Sequence, residues 1–237
     1  GWRGSMAAMV LMGIITIVPS LLLLHETNMF PQRHLSLSLV ILGYMLLLKN
    51  KQFLLYAANL GLQVSIFYSF LNFLPFAFQT LGYSAAEFGA YIALLPVGFL
   101  VGNLLSRQLT PVFGITKMVR AGSTLTVLAV TLMAGLAFRG FHSALPLIAP
   151  AMIYSLSNGL TLPNATIGAL IAAGRSAQGF GSGLAGSLQM LLGSTIATTT
   201  IFLGAAHDTR IGITVVLVVA ISAFMTSLFL VDNAQER

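Results

Sequence analysis

The chain has 237 residues, of which 57% are apolar and only 7% charged. Soluble domains carry roughly 25% charge, so composition excludes a soluble fold. The net charge of +6 is scattered among connecting segments, which argues against a nucleic-acid footprint and for charges that set membrane orientation, and the absence of cysteine removes disulfides and thiolate metal sites.

Seven long apolar stretches follow one another: 6–24, 53–81, 85–105, 117–138, 145–171, 179–203 and 211–231. A hydrocarbon core about 30 Å thick needs about 20 apolar residues of helix to cross it. No acidic residue lies deep inside any stretch. The runs are continuous and not alternating, so helices are expected instead of a barrel. The fold class is therefore an all-α polytopic membrane protein with seven transmembrane helices.

The first span, 1–24, stands apart from the rest. It is followed by the longest connection, 25–52, in which 35–48 is apolar but only about 14 residues long. That length suits a helix lying in the interface more than one crossing the bilayer. A compact six-span bundle, 53–237, comes last. The chain opens Gly-Trp-Arg-Gly-Ser without an initiating Met, so an upstream part is expected. Sorting the basic residues by side places Arg33, Lys49, Lys51, Arg107, Lys117, Arg120, Arg175 and Arg237 together, against Arg3, Arg139 and Arg210. The richer side is expected to be cytoplasmic, with the N-terminus outside and the C-terminus inside.

Local signals set the boundaries. Gly82 stops the second span. Ser84-Ala-Ala-Glu87 opens the third as a capping box, which accounts for the only acid within the bounds of a span. Pro111 and Gly114 separate the third and fourth.

Polar residues inside the spans are the functional candidates, because a polar group in hydrocarbon is costly. On the second span, Asn59, Gln63, Ile66 and Phe70 share one helical stripe with Phe67 beside it; Ser65, Tyr68 and Asn72 form another. One stripe is expected to face a wet cavity and the other a neighbouring helix; interhelical hydrogen bonding is the competing role for both. Pro75 is expected to kink the outer third of that span. The fifth span carries Tyr154, Asn158 and Thr161 on one face, with Gly159 and Pro163 weakening the helix into a break. Gly98 and Gly102 on the third span, and Gly179 and Gly183 on the sixth, are Gly-x-x-x-Gly pairs that permit close packing. Gln189 shares a face with Ser182, Gly186 and Gly193.

No catalytic signature is present: there is no Gly-x-Ser-x-Gly, His-Glu-x-x-His or Gly-Lys-Ser/Thr sequence. The four histidines, His25, His34, His142 and His207, lie at span ends or in loops. No enzyme activity, cofactor or metal site is expected.

The residues then resemble a known family. Gly-Trp-Arg before the first span and Glu26-Thr-Asn28 after it look like the approach to and exit from the sixth helix of a major facilitator superfamily (MFS) transporter. Gly102-Asn-Leu-Leu-Ser-Arg107, with Phe113-Gly114, resembles a degenerate copy of the superfamily's Gly-x-x-x-Asp-Arg cytoplasmic loop motif, Ser106 standing in place of the Asp. Three further stretches are similar to the bicyclomycin-resistance (Bcr/CflA) type of multidrug efflux protein: Leu81-Gly-Tyr-Ser-Ala-Ala-Glu-Phe-Gly89, Gly159-Leu-Thr-Leu-Pro-Asn-Ala165 and Gly183-Leu-Ala-Gly-Ser-Leu-Gln-Met-Leu-Leu-Gly193.

The resemblance covers nearly the whole chain, as helices six to twelve of twelve. It implies proton-coupled export of small amphipathic drugs by alternating access, in a bacterial inner membrane. The missing N-terminal half would be the partner, and it would carry the proton-titrating acids. The small-residue faces of spans three and six would meet that half, and Asn59, Gln63, Phe67, Phe70, Asn158 and Gln189 would line the substrate cavity. A seven-helix receptor, an assembly subunit and an MFS carrier of a narrow metabolite remain alternatives.

Overall fold

The computed structural model describes residues 2–23, 37–140 and 142–231. The segment with His25, Glu26, Arg33 and His34 and the tail with Arg237 lie outside these residues. Among the described residues all regular structure is helical, and seven stretches are long and apolar enough to cross a membrane. The chain is an all-α polytopic membrane protein. It divides into two compact units, 1–39 and 40–237, the division falling within the connection after the first span.

In the first unit, α1 runs Trp2–Leu23 through Pro19. Its hydroxyls turn back on their own helix, Thr16 donating to the Met12 carbonyl at 3.0 Å and Ser20 to Thr16 at 2.7 Å. Self-satisfaction of this kind is what a lone apolar helix in hydrocarbon requires.

The second unit holds the bundle. The short apolar helix α2, Leu37–Lys49, brings Tyr44 edge-on to Phe180. Asn50 then does two jobs: it caps α3, Lys51–Thr80, by accepting from the Phe53 amide at 3.1 Å, and it donates to the Ala172 carbonyl at 2.7 Å. Gly82, at φ 83, takes the left-handed conformation that ends α3.

The capping box forms as its spacing predicts. Ser84 Oγ accepts from the Glu87 amide at 3.3 Å, and Glu87 accepts from the Ser84 amide at 2.8 Å. Replacing Ser84 with Ala is expected to lower stability by about 1 kcal/mol in a detergent thermal melt, by exposing one orphan helix amide.

The third span is not one helix. It is α4, Ala85–Ile92, and α5, Leu95–Phe113, joined by a turn and restarted with Pro96 in its first helical turn, where a proline costs no hydrogen bond. The helix also runs past 105 and through Pro111, so Gly114 alone, at φ 85, makes the break before α6, Ile115–Phe138. The fifth span is α7, Leu145–Ala173. A 3-10 turn, Arg175–Ala177, leads into α8, Gln178–Thr200, which loosens into a π-helical turn, Ile201–Ala205. Asp208 caps α9, Thr209–Leu228, accepting from the Arg210 amide at 2.8 Å.

The expected break in α7 at Pro163 does not occur. Helix α7 is continuous through this residue, as α3 is through Pro75. Side-chain bonds flank Pro163 on either side: Thr161 donates to the Ser157 carbonyl at 2.8 Å and Asn164 to that of Leu160 at 2.7 Å.

The core lies along the bundle axis. Toward one end, Phe70, Phe73, Phe78, Met133, Leu147 and Tyr154 pack together; toward the other, Phe53, Tyr56, Leu60, Val119, Ala165 and Ala169. The most extensive helix pairs are α6 with α7, α3 with α8, and α5 with α7. At the end where α3 begins and α9 finishes stand Lys49, Lys51, Lys117, Arg120 and Arg175. Arg120 donates there to the Ser227 carbonyl at 3.1 Å and to that of Leu230. A guanidinium on the last carbonyls of α9 complements the negative end of its dipole. At the opposite end Arg210 lies over the Phe138 ring, 5.9 Å from its centroid.

Candidate functional site

The amides of α3 point inward. Asn59 Nδ2 donates to the Ala223 carbonyl at 2.7 Å, and also lies 3.2 Å from both Ser123 Oγ and Thr226 Oγ1. One turn on, Gln63 Oε1 accepts from Thr126 at 3.2 Å, and its Nε2 reaches Ser123 at 3.5 Å. Thr126 and Ser157 share a bond of 2.8 Å, and the Tyr154 hydroxyl donates to the backbone carbonyl of Gln63 at 2.6 Å. This network joins α3 to α6, α7 and α9 in the middle of the bundle, and Asn59 and Gln63 are wholly buried. Phe70, on the same stripe, is buried too, edge-on to Tyr154 at 5.3 Å.

Asn59, Gln63 and Phe70 therefore do not line the open cavity; they hold four helices together. The stripe that also carries Ile66 is the packed one, because its two amides find their partners on α6 and α9.

The cavity opens on another side of α3. About 300 Å³ in volume, it is walled by Phe67 and Tyr68 of α3, Phe99 of α5, Asn158 and Leu162 of α7, and Gln189 of α8. Three expected residues, Phe67, Asn158 and Gln189, meet here. No Asp, Glu, Lys or Arg lines it. Ser155 at its edge is occupied, donating to the Leu95 carbonyl. Gln189 makes no hydrogen bond among the described residues, and the amide oxygen of Asn158 is buried without a partner. Aromatic and aliphatic walls with a few convergent polar groups are the usual composition of a small-molecule site.

The cavity lies on the bundle's open side. Spans Ala85–Phe113 and Gln178–Ala205 bury only 17% and 22% of their apolar stretches, the smallest shares in the second unit. The face of α8 is open at Gly179, where an added Cβ would meet nothing within 4 Å, and nearly so at Gly183, with only the Tyr44 hydroxyl at 3.4 Å. Gly98 and Gly102 behave differently. They pack inside the chain, a Cβ at Gly102 lying 2.1 Å from the Leu156 carbonyl oxygen and one at Gly98 2.9 Å from that of Met152. The expectation that the small-residue face of the third span meets an absent half is corrected: α7 already occupies it.

Ser106 accepts from Asn164 Nδ2 at 2.7 Å, and Thr110 donates to Asn164 Oδ1 at 2.9 Å. These three residues tie α5 to α7 under a second cavity of about 420 Å³, which Arg107 also lines. Arg107 itself is exposed. The bond partner of Ser106 is thus a neutral amide on α7.

Sequence reasoning passed over Phe99 and left Tyr68 out of the cavity residues.

No protein-family model matches the chain, and no curated protein does. The class that the fold and cavity define is an all-α, multi-pass membrane protein whose six-helix unit carries an uncharged pocket on its open face.

Proposed function

We propose that the chain is the C-terminal half, with one preceding helix, of an MFS secondary transporter of the Bcr/CflA multidrug-efflux type. It exports small amphipathic compounds by alternating access and couples that export to protons. The observation that carries this reading is the cavity between α3, α5, α7 and α8, apolar and aromatic with two spare amides and set on the least buried side of the bundle. A second six-helix half closes that side and supplies the proton-carrying acids. The basic end with Lys49, Lys51 and Arg175 faces the cytoplasm.

The test is efflux of a fluorescent amphipathic dye from cells stripped of their own pumps. Production of the transporter containing this chain should speed dye loss, and a protonophore should abolish the gain. Dye loss that ignores the protonophore would remove the proton coupling. Dye binding without any efflux would favour a seven-helix receptor.

A further inference from the structure

Asn158 is 7% exposed, lines the cavity, and keeps an amide oxygen without any hydrogen-bond partner. The other buried amides fare differently. Asn164 uses both amide atoms, bonded to Ser106, Leu160 and Thr110. Gln63 likewise bonds through both. Asn59 also keeps an unpaired oxygen, but its nitrogen is engaged with three acceptors and it does not line this cavity. Among the buried amides, Asn158 alone combines an unpaired oxygen with a position on the wall, where the partly exposed Gln189 is the other amide.

An unpaired buried acceptor is unfavourable, and whatever pairs with it recovers that loss on binding. The terminal torsion of an Asn side chain is broad. Rotation about it turns either the oxygen or the nitrogen toward the cavity. Apart from Gln189, the Tyr68 hydroxyl and Ser155, which is already bonded to Leu95, the remaining wall is aromatic and aliphatic, from Val64, Phe67, Leu95, Phe99 and Leu162. An ionised group entering here from the bilayer or from water would find no opposite charge on this wall.

Resting on the transporter reading above, we propose that Asn158 is a specificity-determining residue. It selects uncharged aromatic compounds that carry an N–H or O–H donor, over otherwise equal compounds that lack one. The donor pairs with the Asn158 oxygen while the rings lie against Phe67 and Phe99.

The probes are N-phenyl-1-naphthylamine, which is neutral and carries one N–H, and its N-methyl derivative, which carries none. Equilibrium dialysis against the full chain in lipid nanodiscs, with empty nanodiscs as the blank, reads both affinities. The wild type should bind the N–H compound about tenfold more tightly, a difference of about 1.4 kcal/mol, the gain of one buried hydrogen bond. Asn158→Leu should bring the ratio to about one by weakening the N–H compound and leaving its N-methyl partner unchanged. Asn158→Thr, which keeps an oxygen acceptor, should restore part of the ratio and guards against a leucine variant that fails to fold. Equal binding of the two compounds by the wild type overturns the role of Asn158 while the cavity reading stands. A ratio that survives Asn158→Leu does the same. If the wild type binds neither compound above the blank, the cavity reading falls and this selectivity falls with it.

Discussion

Substituting Gly102 with alanine should be the most damaging single methyl addition in the chain. The new Cβ would sit 2.1 Å from the Leu156 carbonyl oxygen and 3.0 Å from the Cα of Gly159, both backbone atoms that no rotamer change can move aside. Gly159 faces the mirror problem, with the Phe99 carbonyl oxygen at 2.3 Å from its own Cβ position. The two glycines are the point where α5 and α7 cross backbone to backbone. Overpacking a well-filled contact costs about 1–3 kcal/mol and more where backbone must shift, so we expect a loss of about 3 kcal/mol and a clear drop in the thermal midpoint in detergent. Gly179→Ala supplies the control. Nothing lies within 4 Å of its Cβ position, so removing a helical glycine there should be neutral or stabilising by up to about 1 kcal/mol. Equal midpoints for Gly102→Ala and wild type would mean that α5 does not rest on α7 as described.

This contrast shows what a small-residue motif does and does not say. Gly98–Gly102 and Gly179–Gly183 have the same spacing, yet one pair is sealed against α7 and the other lies open beside α2. Spacing reports that a helix face permits close approach. The occupant of that face is a matter of topology, which one helix's pattern does not contain.

The spans themselves were readable because hydrocarbon imposes a single requirement, about 20 apolar residues per crossing, and the chain meets it with short, well-marked turns. Capping at Ser84 and the stops at Gly82 and Gly114 were readable for a related reason: orphan amides and left-handed turns have few residue solutions. The division of the third span at Ala93 and Leu94 was not, since Pro96 suits a helix start as well as a kink. Neither was the continuity of α7 through Pro163, since a helix packed among neighbours carries a proline at the loss of one backbone bond. In the site, the helical wheel sorted α3 into two stripes but could not say which turned inward. Ser123 and Thr126 on α6 were the missing information. They recur one turn apart and match the spacing of Asn59 and Gln63, a complementarity that appears only when the two helices are placed side by side.

That distinction separates two glutamines that the sequence grouped together. Gln63→Ala should act on stability. It removes the bond from Thr126, weakens the hold on Ser123, and leaves a void in a fully buried site. The combined cost is about 2–4 kcal/mol. The Tyr154 bond survives, because it is made to the Gln63 backbone. Gln189→Ala removes a partly exposed side chain with no hydrogen bond among the described residues, so the melt should move by less than about 0.5 kcal/mol. Its effect belongs on the ligand: losing one neutral hydrogen bond from the cavity wall should weaken binding of a dye that uses it by about fivefold. In the efflux assay, normalising to folded protein should therefore rescue Gln63→Ala and not Gln189→Ala. If the normalised rate of Gln63→Ala stays low while its melt is unchanged, Gln63 works in the transport pathway, and α3 must turn its amide stripe toward the cavity at some stage of the cycle.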